Sequence, residues 1–264
     1  MVELTRTVRF CLNADDGIAG AERSNTFAAW PAMRGLGRYY ELQVRCRGEV
    51  DPVTGYFINI KAIDSAVRGQ VLTDLERIAR EQHTTSAPLG HVMRTIMRGL
   101  QPALDHTVIE ARLQLTPMLS FSIGSTDMDH VLIRQQYEFS AAHRLHVPSL
   151  SDQENREIFG KCNNPSGHGH NYRIEVCVRA PIDPAGGTCD VALLDSVVNA
   201  TAVMKLDHKH LNIDVPEFAA MNPSVEHIAK VIHGWLAPAL KDIDVELDEI
   251  SVWETGKTVC TYRG

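Results

Sequence analysis

The sequence predicts an α+β protein that contains two tandem copies of one module. Three observations indicate this: the chain is long enough for two domains, one stretch of sequence recurs, and the same order of strands and helices follows it in both places. A chain of 264 residues accommodates two domains of about 130 residues each. Its composition, 44% hydrophobic and 22% charged, is typical of a folded globular protein and excludes a disordered or collagen-like chain.

The recurring stretch begins at Gly35 and again at Gly167, and the two copies align without a gap. Each copy starts as Gly-x-Gly, continues as an alternating strand and ends in a turn that contains Asp-Pro and Gly. After one inserted residue, the match continues further along the chain. The additional matched stretches are 59–64 with 190–195 and 87–104 with 222–240. Similarity over this length indicates a tandem duplication.

Each module is predicted to contain two strands, two helices and a final pair of strands. Apolar residues recur at every second position after Tyr40 and after Tyr172, which is the period of a β-strand. The turns at Asp51-Pro52 and Asp183-Pro184 predict β-hairpin loops. The elements predicted for the first module are strands at 5–12 and from 40, helices at about 60–81 and from 88, and strands within 107–121. Those predicted for the second are strands at 133–141 and from 172, helices at about 191–204 and from 223, and strands within 249–262.

The helix that begins near Pro223 has an apolar stripe at helical spacing, which predicts that it packs in the core. The stripe consists of Val225, Ile228, Ala229, Ile232 and Trp235. The segment 124–131 is polar and opens with glycine, so we predict the domain boundary there. The two predicted domains are 1–125 and 126–264.

Charge and composition exclude several classes of partner. The formal net charge is −7 and there is no stripe of Lys and Arg, which argues against a nucleic-acid partner and favours a small molecule. No apolar run approaches the ~20 residues of a membrane span, and the N-terminus has no basic leader or apolar core of a signal sequence. Six cysteines without a CxxC motif predict reduced thiols. A cytoplasmic protein is therefore expected.

Histidines concentrate in the second half, which holds eight of the twelve. His168 and His170 begin a predicted strand, and residues two apart on a strand face the same side. His143 ends the preceding predicted strand, so the three imidazoles can converge. Three protein ligands with a fourth position open are typical of a catalytic zinc site. On spacing alone, the alternative is three surface or core histidines without a metal.

Three further features of the sequence are candidates for catalytic or binding roles. Cys162 lies close to the histidines in sequence, and a thiol beside a dication or an imidazolium ionises more readily and can act as a base or nucleophile. Asp207 and His208 form a carboxylate–imidazole pair if they touch, and a solvated turn if they do not. Glu254 lies among apolar neighbours on the final hairpin, where a ligand with paired N–H donors would satisfy it.

These features together resemble the 6-pyruvoyl tetrahydropterin synthase family. The resemblance covers residues 132–264, and four motifs carry it in order. They are FSAAHRL at 139–145, CNNPSGHGHNY at 162–172, LDHKHLN at 206–212 and WET at 253–255. The resemblance implies a tunnelling fold, in which modules with a four-stranded antiparallel sheet and two helices on one face associate into β-barrels.

The resemblance also implies a reaction and its residues. It implies that 7,8-dihydroneopterin triphosphate is converted to 6-pyruvoyl tetrahydropterin with elimination of triphosphate, a carbon–oxygen lyase reaction. Mg²⁺ is a second candidate cation, as the counter-ion of the triphosphate. The implied zinc ligands are His143, His168 and His170, the implied catalytic triad is Cys162, Asp207 and His208, and the implied anchor of the pterin ring is Glu254.

Three alternatives remain open at this point. A 6-carboxy-tetrahydropterin synthase of the queuosine pathway uses the same substrate, although the five residues between Cys162 and His168 favour the pyruvoyl-forming enzymes. Aldolase-like cleavage to a hydroxymethylpterin is associated with relatives that have Glu at the cysteine position. A non-catalytic pterin-binding module would lack metal or turnover.

The first copy is expected to be a degenerate, non-catalytic module. The ligand pair is replaced by Leu36 and Arg38, the first ligand position falls near Ala14, and the cysteine position falls near Trp30. We expect Trp30, Met33 and Leu36 to fill the former site, with Arg38 facing a partner module's substrate phosphates as the alternative.

The resemblance further implies assembly. Relatives with one module close rings of three modules and stack two rings, so a two-module chain is expected to form a homotrimer. A ring of N-terminal modules would then stack on a ring of C-terminal modules, with three active sites. The Asp-His pair is expected to act across a subunit boundary. The triphosphate is expected to need a basic pocket, for which Lys161, Arg144 and Lys257 are candidates.

Overall fold

The chain folds into two compact units in a computed structural model that describes residues 1–13, 25, 27–81 and 87–264. The first unit comprises Met1–Ile133 with Pro181–Thr188, and the second comprises Arg134–Ala180 with Cys189–Gly264. Within the described residues, no helix is long and apolar enough to cross a membrane.

The first unit contains an antiparallel sheet with the strand order β1-β2-β3-β4 and a layer of helices. The strands are β1 (Val2–Leu12), β2 (Arg38–Gly48), β3 (Val108–Thr116) and β4 (Leu119–Gly124). The helices are α1 (Ile60–Ala66), a π-helical turn (Val67–Val71), α2 (Leu72–Glu81) and α3 (Leu89–Ala103). The Asn59 side chain caps α1 by accepting from the Lys61 N–H at 3.0 Å. Helix α3 packs on β3 and β4.

The second unit has the strand order β5-β6-β8-β9, with a short strand β7 parallel to the end of β5. The strands are β5 (Asp127–His143), which starts in the first unit, β6 (His168–Pro181), β7 (Lys209–His210), β8 (Glu246–Thr255) and β9 (Thr258–Tyr262). The helices are α4 (Asp152–Phe159), α5 (Val191–Val198), α6 (Met204–Leu206), α7 (Leu211–Asp214) and α8 (Val225–Lys241). A π-helical turn (Asn199–Val203) joins α5 to α6, and 3₁₀ turns span Gly160–Asn163 and Pro216–Phe218.

The core of the second unit lies between the sheet and α8. Alternate residues of β6, from Tyr172 to Val178, are fully buried, as the period of two predicts. The stripe of α8 is buried as well, except that Trp235 keeps its indole at the surface, where Nε1 donates to Glu217 at 2.8 Å. The predicted α+β class is confirmed, and so are the predicted helices, within a few residues at their ends.

The two Asp-Pro turns do not form the β-hairpins that the sequence predicts. They connect β2 to α1 and β6 to α5. The Asp51 carboxylate accepts from the Val53 and Thr54 N–H groups, and the Asp183 carboxylate accepts from Gly187 N–H, so each aspartate closes a tight turn with its own side chain. Such a turn reverses the chain whether a strand or a helix follows.

The polar segment at the predicted domain boundary is part of a strand. Strand β5 begins at Asp127, six residues before the predicted start at 133, and the predicted boundary between 125 and 126 falls in the turn that separates β4 from β5. The first four residues of β5, 127–130, are half-buried or exposed, so they lack the buried apolar face that identifies a strand in sequence.

The two units share three irregularities at matching positions of the repeat. Gly35 and Gly167 both have positive φ angles, 54° and 72°. The register shifts between Arg45 and Cys46 where β2 pairs with β3, and between Cys177 and Val178 where β6 pairs with β8. A π-helical turn follows the first helix of each unit.

Candidate metal centre and active site

The structure brings the three predicted metal ligands together at the start of β6 and the end of β5. The ring centroids are 4.5 Å apart for His143 and His168, 5.3 Å for His143 and His170, and 4.8 Å for His168 and His170. One nitrogen from each ring lies within 4.8 Å of the others. The pair on β6 points the same way because its members are two residues apart on a strand.

His143 is fully buried, and its ring is oriented by a backbone carbonyl. Its Nδ1–H donates to the Pro223 carbonyl at 2.8 Å, which leaves the Nε2 lone pair facing the other histidines. A ligating histidine is commonly held in this way by its second nitrogen. Pro223 lies just before α8, so the loop that starts this helix fixes the tautomer of His143.

The spacing of the nitrogens fits a tetrahedral ion. Nε2 of His143 lies 3.1 Å from Nε2 of His168. Two ligands bonded at 2.0–2.1 Å with a tetrahedral angle would be about 3.3 Å apart. His168 Nδ1 and His170 Nε2 are buried without a hydrogen-bond partner. Buried polar atoms without partners are costly, and a cation would satisfy the unpaired Nε2. The donor set therefore fits a divalent metal.

Burial also prepares the histidines to bind. Desolvation is the largest effect that lowers the pKa of His143 and the pKa of His168 below the ordinary value for histidine. Both rings are therefore neutral near pH 7, and the neutral imidazole is the form that coordinates metals.

Glu254 lies beside the three histidines. One carboxylate oxygen is 3.3 Å from His143 Nε2 and 3.7 Å from His170 Nε2, and the side chain is 22% exposed. Strand β8 carries this residue to the histidines because β8 pairs with β6. The carboxylate is close enough to reach the open position of a metal. The sequence predicts that this carboxylate accepts hydrogen bonds from a pterin ring.

Cys162 lies in the 3₁₀ turn after α4, half-buried near Glu254. Its backbone carbonyl accepts from Leu145 N–H at 2.9 Å, which ties the turn to the segment after His143. Burial, and secondarily the charge of Glu254, raise the pKa of the Cys162 thiol. The thiolate that the sequence predicts therefore depends on a cation, because the protein groups around Cys162 favour the thiol.

Asp207 and His208 form a bonded pair within the chain. Asp207 Oδ2 lies 2.8 Å from His208 Nδ1, and Asp207 Oδ1 accepts from Ser140 N–H at 2.8 Å. The bond from Ser140 is the largest effect that lowers the pKa of Asp207, followed by the bond to His208. The His208 side chain is 82% exposed, so its other nitrogen is open to solvent. The pair thus has the geometry of an oriented proton carrier rather than of two separate residues in a turn.

Gly167, just before His168, permits a close approach of the chain. Its φ is +72°, and a Cβ there would lie 2.8 Å from His210 Nε2 and 3.0 Å from the His143 carbonyl oxygen. Only glycine fits both the angle and the space. The first glycine of the second Gly-x-Gly copy thus lets the chain enter β6 close to the three histidines.

Two asparagines that the sequence analysis did not single out link the site together. Asn163 Nδ2 donates to the Leu145 carbonyl at 2.8 Å and lies 3.1 Å from His146 Nδ1. Asn212 accepts from Arg144 N–H at 2.8 Å and donates to the Arg144 carbonyl at 2.9 Å. Asn163 therefore ties the Cys162 turn to the segment that follows His143. Asn212 ties the chain after His208 to the same segment. Their presence inside the motifs was the signal that could have identified them.

A third asparagine, Asn155, is fully buried on α4 and holds the same segment. It accepts from Val147 N–H at 2.7 Å and donates to carbonyls of Val147, Leu150 and Ser151 at 3.0–3.2 Å. We expect Asn155→Ala to lower the free energy of unfolding by about 2–3 kcal/mol, because buried backbone groups lose their partners. Denaturant titration measures this. Gln153→Ala, exposed on the same helix, should change it by less than about 0.5 kcal/mol, and an equal effect of both variants would contradict the role.

The first unit has no comparable centre among its described residues, where no three His, Cys, Asp or Glu side chains converge. The expectation that Met33 and Leu36 fill a former site is wrong, because their exposed fractions are 56% and 102%. Asn13 instead pins this loop, by bonds to Ala32 O and Arg34 N, with the apolar side chains outward. Ala14 lies outside the described residues. The β3–β4 pairing shifts register at Leu115, and the β8–β9 pairing shifts register at Glu254, so these two residues occupy corresponding positions.

Comparison with known proteins shows the family to which the second half of the chain belongs. The family model of 6-pyruvoyl tetrahydropterin synthase matches residues 132–264, half of the chain. The chain belongs to this family. A 6-pyruvoyl tetrahydrobiopterin synthase of Poecilia reticulata is 45% identical over 134 residues, which are 50% of this chain and 89% of the relative. The human enzyme of that name is 41% identical over 133 residues, or 50% of this chain and 90% of the relative.

A solved structure is similar over about half of the chain. The Caenorhabditis elegans 6-pyruvoyl tetrahydropterin synthase is 37% identical, covers 51% of this chain and 96% of its own, and superposes with a TM-score of 0.46. The family match ends at the last residue and begins at 132, so it coincides with the second unit. The family match confirms the predicted tunnelling fold for the second unit.

Proposed function

We propose that this protein converts 7,8-dihydroneopterin triphosphate to 6-pyruvoyl tetrahydropterin and releases triphosphate. The convergence of His143, His168 and His170 beside Cys162 and Glu254 carries the proposal, because this family member retains a complete metal-binding and proton-transfer set. The relatives named as 6-pyruvoyl tetrahydrobiopterin synthases, at up to 45% identity, support it.

The metal is proposed to be Zn²⁺, one per chain, held by the three histidines. Three neutral imidazoles suit zinc, and three protein ligands leave a position open. When bound, the ion supplies Lewis acidity that polarises oxygens of the substrate side chain. Mg²⁺ is proposed to accompany the substrate's triphosphate rather than to occupy this centre.

The chain's own residues then move protons and orient the ring. Cys162, as the thiolate, accepts a proton from a hydroxyl-bearing carbon of the substrate side chain. The carbon–oxygen bond to the triphosphate breaks, and its electron pair leaves with the triphosphate. His208, held by Asp207, carries protons during the tautomerisations that follow. Glu254 accepts from the N–H edge of the pterin and so places the side chain at the metal.

The experiment that tests this function is product analysis. Zinc-loaded protein is incubated with 7,8-dihydroneopterin triphosphate, and the pterin product and inorganic triphosphate are identified by mass spectrometry. We expect equal amounts of triphosphate and the pyruvoyl product. A carboxy-tetrahydropterin would instead identify the queuosine-pathway reaction, a hydroxymethylpterin would identify aldolase-like cleavage, and no turnover by zinc-loaded protein would identify a binding module.

The first unit is proposed to be a degenerate copy that arose by tandem duplication. The shared positive-φ glycines, register shifts and π-helical turns support the duplication. Leu36, Arg38 and Leu115 occupy the positions that correspond to His168, His170 and Glu254. The absence of the histidine and glutamate side chains from these positions supports the loss of chemistry. One active site per chain is therefore proposed.

The assembly is proposed to be a cytoplasmic homotrimer of six modules, in which a ring of N-terminal modules stacks on a ring of C-terminal modules. The 82% exposure of His208 supports a role in a neighbouring copy's site, because one nitrogen of its ring is presented outward by Asp207. Sedimentation at micromolar concentration should show three chains, and an active monomer would contradict the assembly.

A further inference from the structure

The loop before α8 makes two connections to the segment that carries His143. His143 Nδ1–H donates to the Pro223 carbonyl at 2.8 Å, and Asn222 Oδ1 accepts from His146 N–H at 2.8 Å. The two bonds and the two short stretches of chain that they join, 143–146 and 222–223, form a closed ring. The loss of either bond therefore leaves the His143 imidazole less restricted.

The backbone of this loop is a tight turn centred on Pro223. Ser224 N–H donates to the Asn222 carbonyl at 2.9 Å, which is the hydrogen bond of a γ-turn. The proline ring fixes φ near about −65°, close to the value that the central residue of an inverse γ-turn adopts. The peptide group that follows Pro223 thus donates its N–H to Asn222 and accepts at its C=O from His143. Asn222 therefore orients the peptide group that holds the His143 ring.

A second donor also bonds to the Asn222 carbonyl. His227 lies in the first turn of α8, and its Nδ1–H donates to this carbonyl at 2.8 Å. A carbonyl oxygen only accepts, so the ring nitrogen that faces it carries the hydrogen. Both lone pairs of the oxygen are then occupied, one by Ser224 N–H and one by His227. The backbone of Asn222 thus ties the turn to α8, and its side chain ties the turn to His146.

We propose that Asn222 is a positioning residue of the metal centre, which acts through Pro223 on His143. The inference rests on the proposed function, because that function makes the three histidines zinc ligands. A ligating imidazole that is held at its second nitrogen keeps one tautomer and one orientation, and loss of such a partner typically lowers metal affinity by about 10- to 100-fold. Asn222 acts one step further out, since its side-chain oxygen fixes the turn that presents the carbonyl to His143.

Two substitutions at position 222 separate this hydrogen bond from the rest of the side chain. Alanine has no acceptor, so Asn222→Ala leaves His146 N–H without its partner and opens the ring of bonds. Aspartate has the same shape as asparagine and keeps an oxygen at the accepting position, so Asn222→Asp preserves the bond. A role that depends on this bond is therefore lost in the first variant and kept in the second.

The test measures the zinc Kd by competition with a chelator, the visible spectrum of the Co²⁺-loaded protein, which reports ligand geometry, and the denaturation midpoint of the metal-free protein. Asn222→Ala should raise the zinc Kd about tenfold or more and alter the Co²⁺ spectrum. Asn222→Asp should restore both to those of the wild type. Leu240→Ala is the control for lost stability, because Leu240 is fully buried at the far end of α8. It should lower the midpoint and keep the wild-type zinc Kd and Co²⁺ spectrum.

The outcomes separate this proposal from the proposed function. Turnover with a zinc Kd and a Co²⁺ spectrum that do not change in Asn222→Ala would overturn the role of Asn222 and leave the function standing. An equal rise of the zinc Kd in Leu240→Ala would overturn it too, because affinity would then follow stability. Failure of Asn222→Asp to restore binding would rule out the hydrogen bond as the cause. Zinc binding that depends on Asn222, without any turnover, would support the positioning role and contradict the function.

Discussion

Replacing Cys162 by alanine is expected to slow triphosphate release by about 10²–10⁴-fold, because the base that removes the carbon-bound proton is lost. The fold and the metal should remain. Cys162 is half-buried in a 3₁₀ turn that is held by backbone and asparagine bonds, not by its own thiol. The rate of triphosphate release under saturating substrate measures the effect, with zinc content determined on the same samples.

The matched control is Cys260→Ala, a half-buried cysteine of the same unit on β9. It should release triphosphate at nearly the wild-type rate. If Cys162→Ala also did so, a different group would be the base. If it lost zinc, the variant would report on the metal centre instead, and the assignment of Cys162 as base would rest on Cys162→Ser, which keeps the size of the side chain.

Replacing His143 by alanine is expected to remove the metal and, with it, turnover. His143 is the fully buried member of the three, and its ring is fixed by the Pro223 carbonyl. Two histidines, His168 and His170, would remain, and two ligands hold a divalent ion far more weakly than three. Zinc per chain after dialysis, measured by atomic emission, gives the result.

His233→Ala is the control for this variant. His233 lies on α8 against Tyr262, away from the three ligands, and burial lowers the pKa of its ring as it does for His143. The control should therefore retain its zinc and its activity. A His143→Ala protein that kept one zinc per chain would place the metal elsewhere.

Much of the fold could be predicted, because the apolar periodicity of a helix or a strand can be read from consecutive residues. The apolar stripe of α8 and the alternation that begins at Tyr172 are written in consecutive residues, and both lie in the core as expected. The start of β5 at Asp127 was missed, because its first four residues are half-buried or exposed and so show no buried apolar face. The Asp51 and Asp183 turns were misread, because a side-chain-closed turn does not specify which element comes next.

The part of the site that follows from the alternation of side chains along a strand could be predicted. His168 and His170 converge because they are two apart on a strand, and His143 joins them at the end of the strand before. The contact of Glu254 with these rings could not be predicted, because it depends on the pairing of β8 with β6. The bonds of Asn163 to the segment after His143 likewise depend on the packing of distant loops.

One copy of the module is proposed to retain the chemistry, and the other to retain only the fold. The most direct measurement is the number of zinc ions per 264-residue chain, by native mass spectrometry, with the ligands identified by X-ray absorption. One zinc per chain is expected, bound by three imidazole nitrogens and one oxygen ligand. Two ions per chain, or a first shell that contains sulfur, would contradict it.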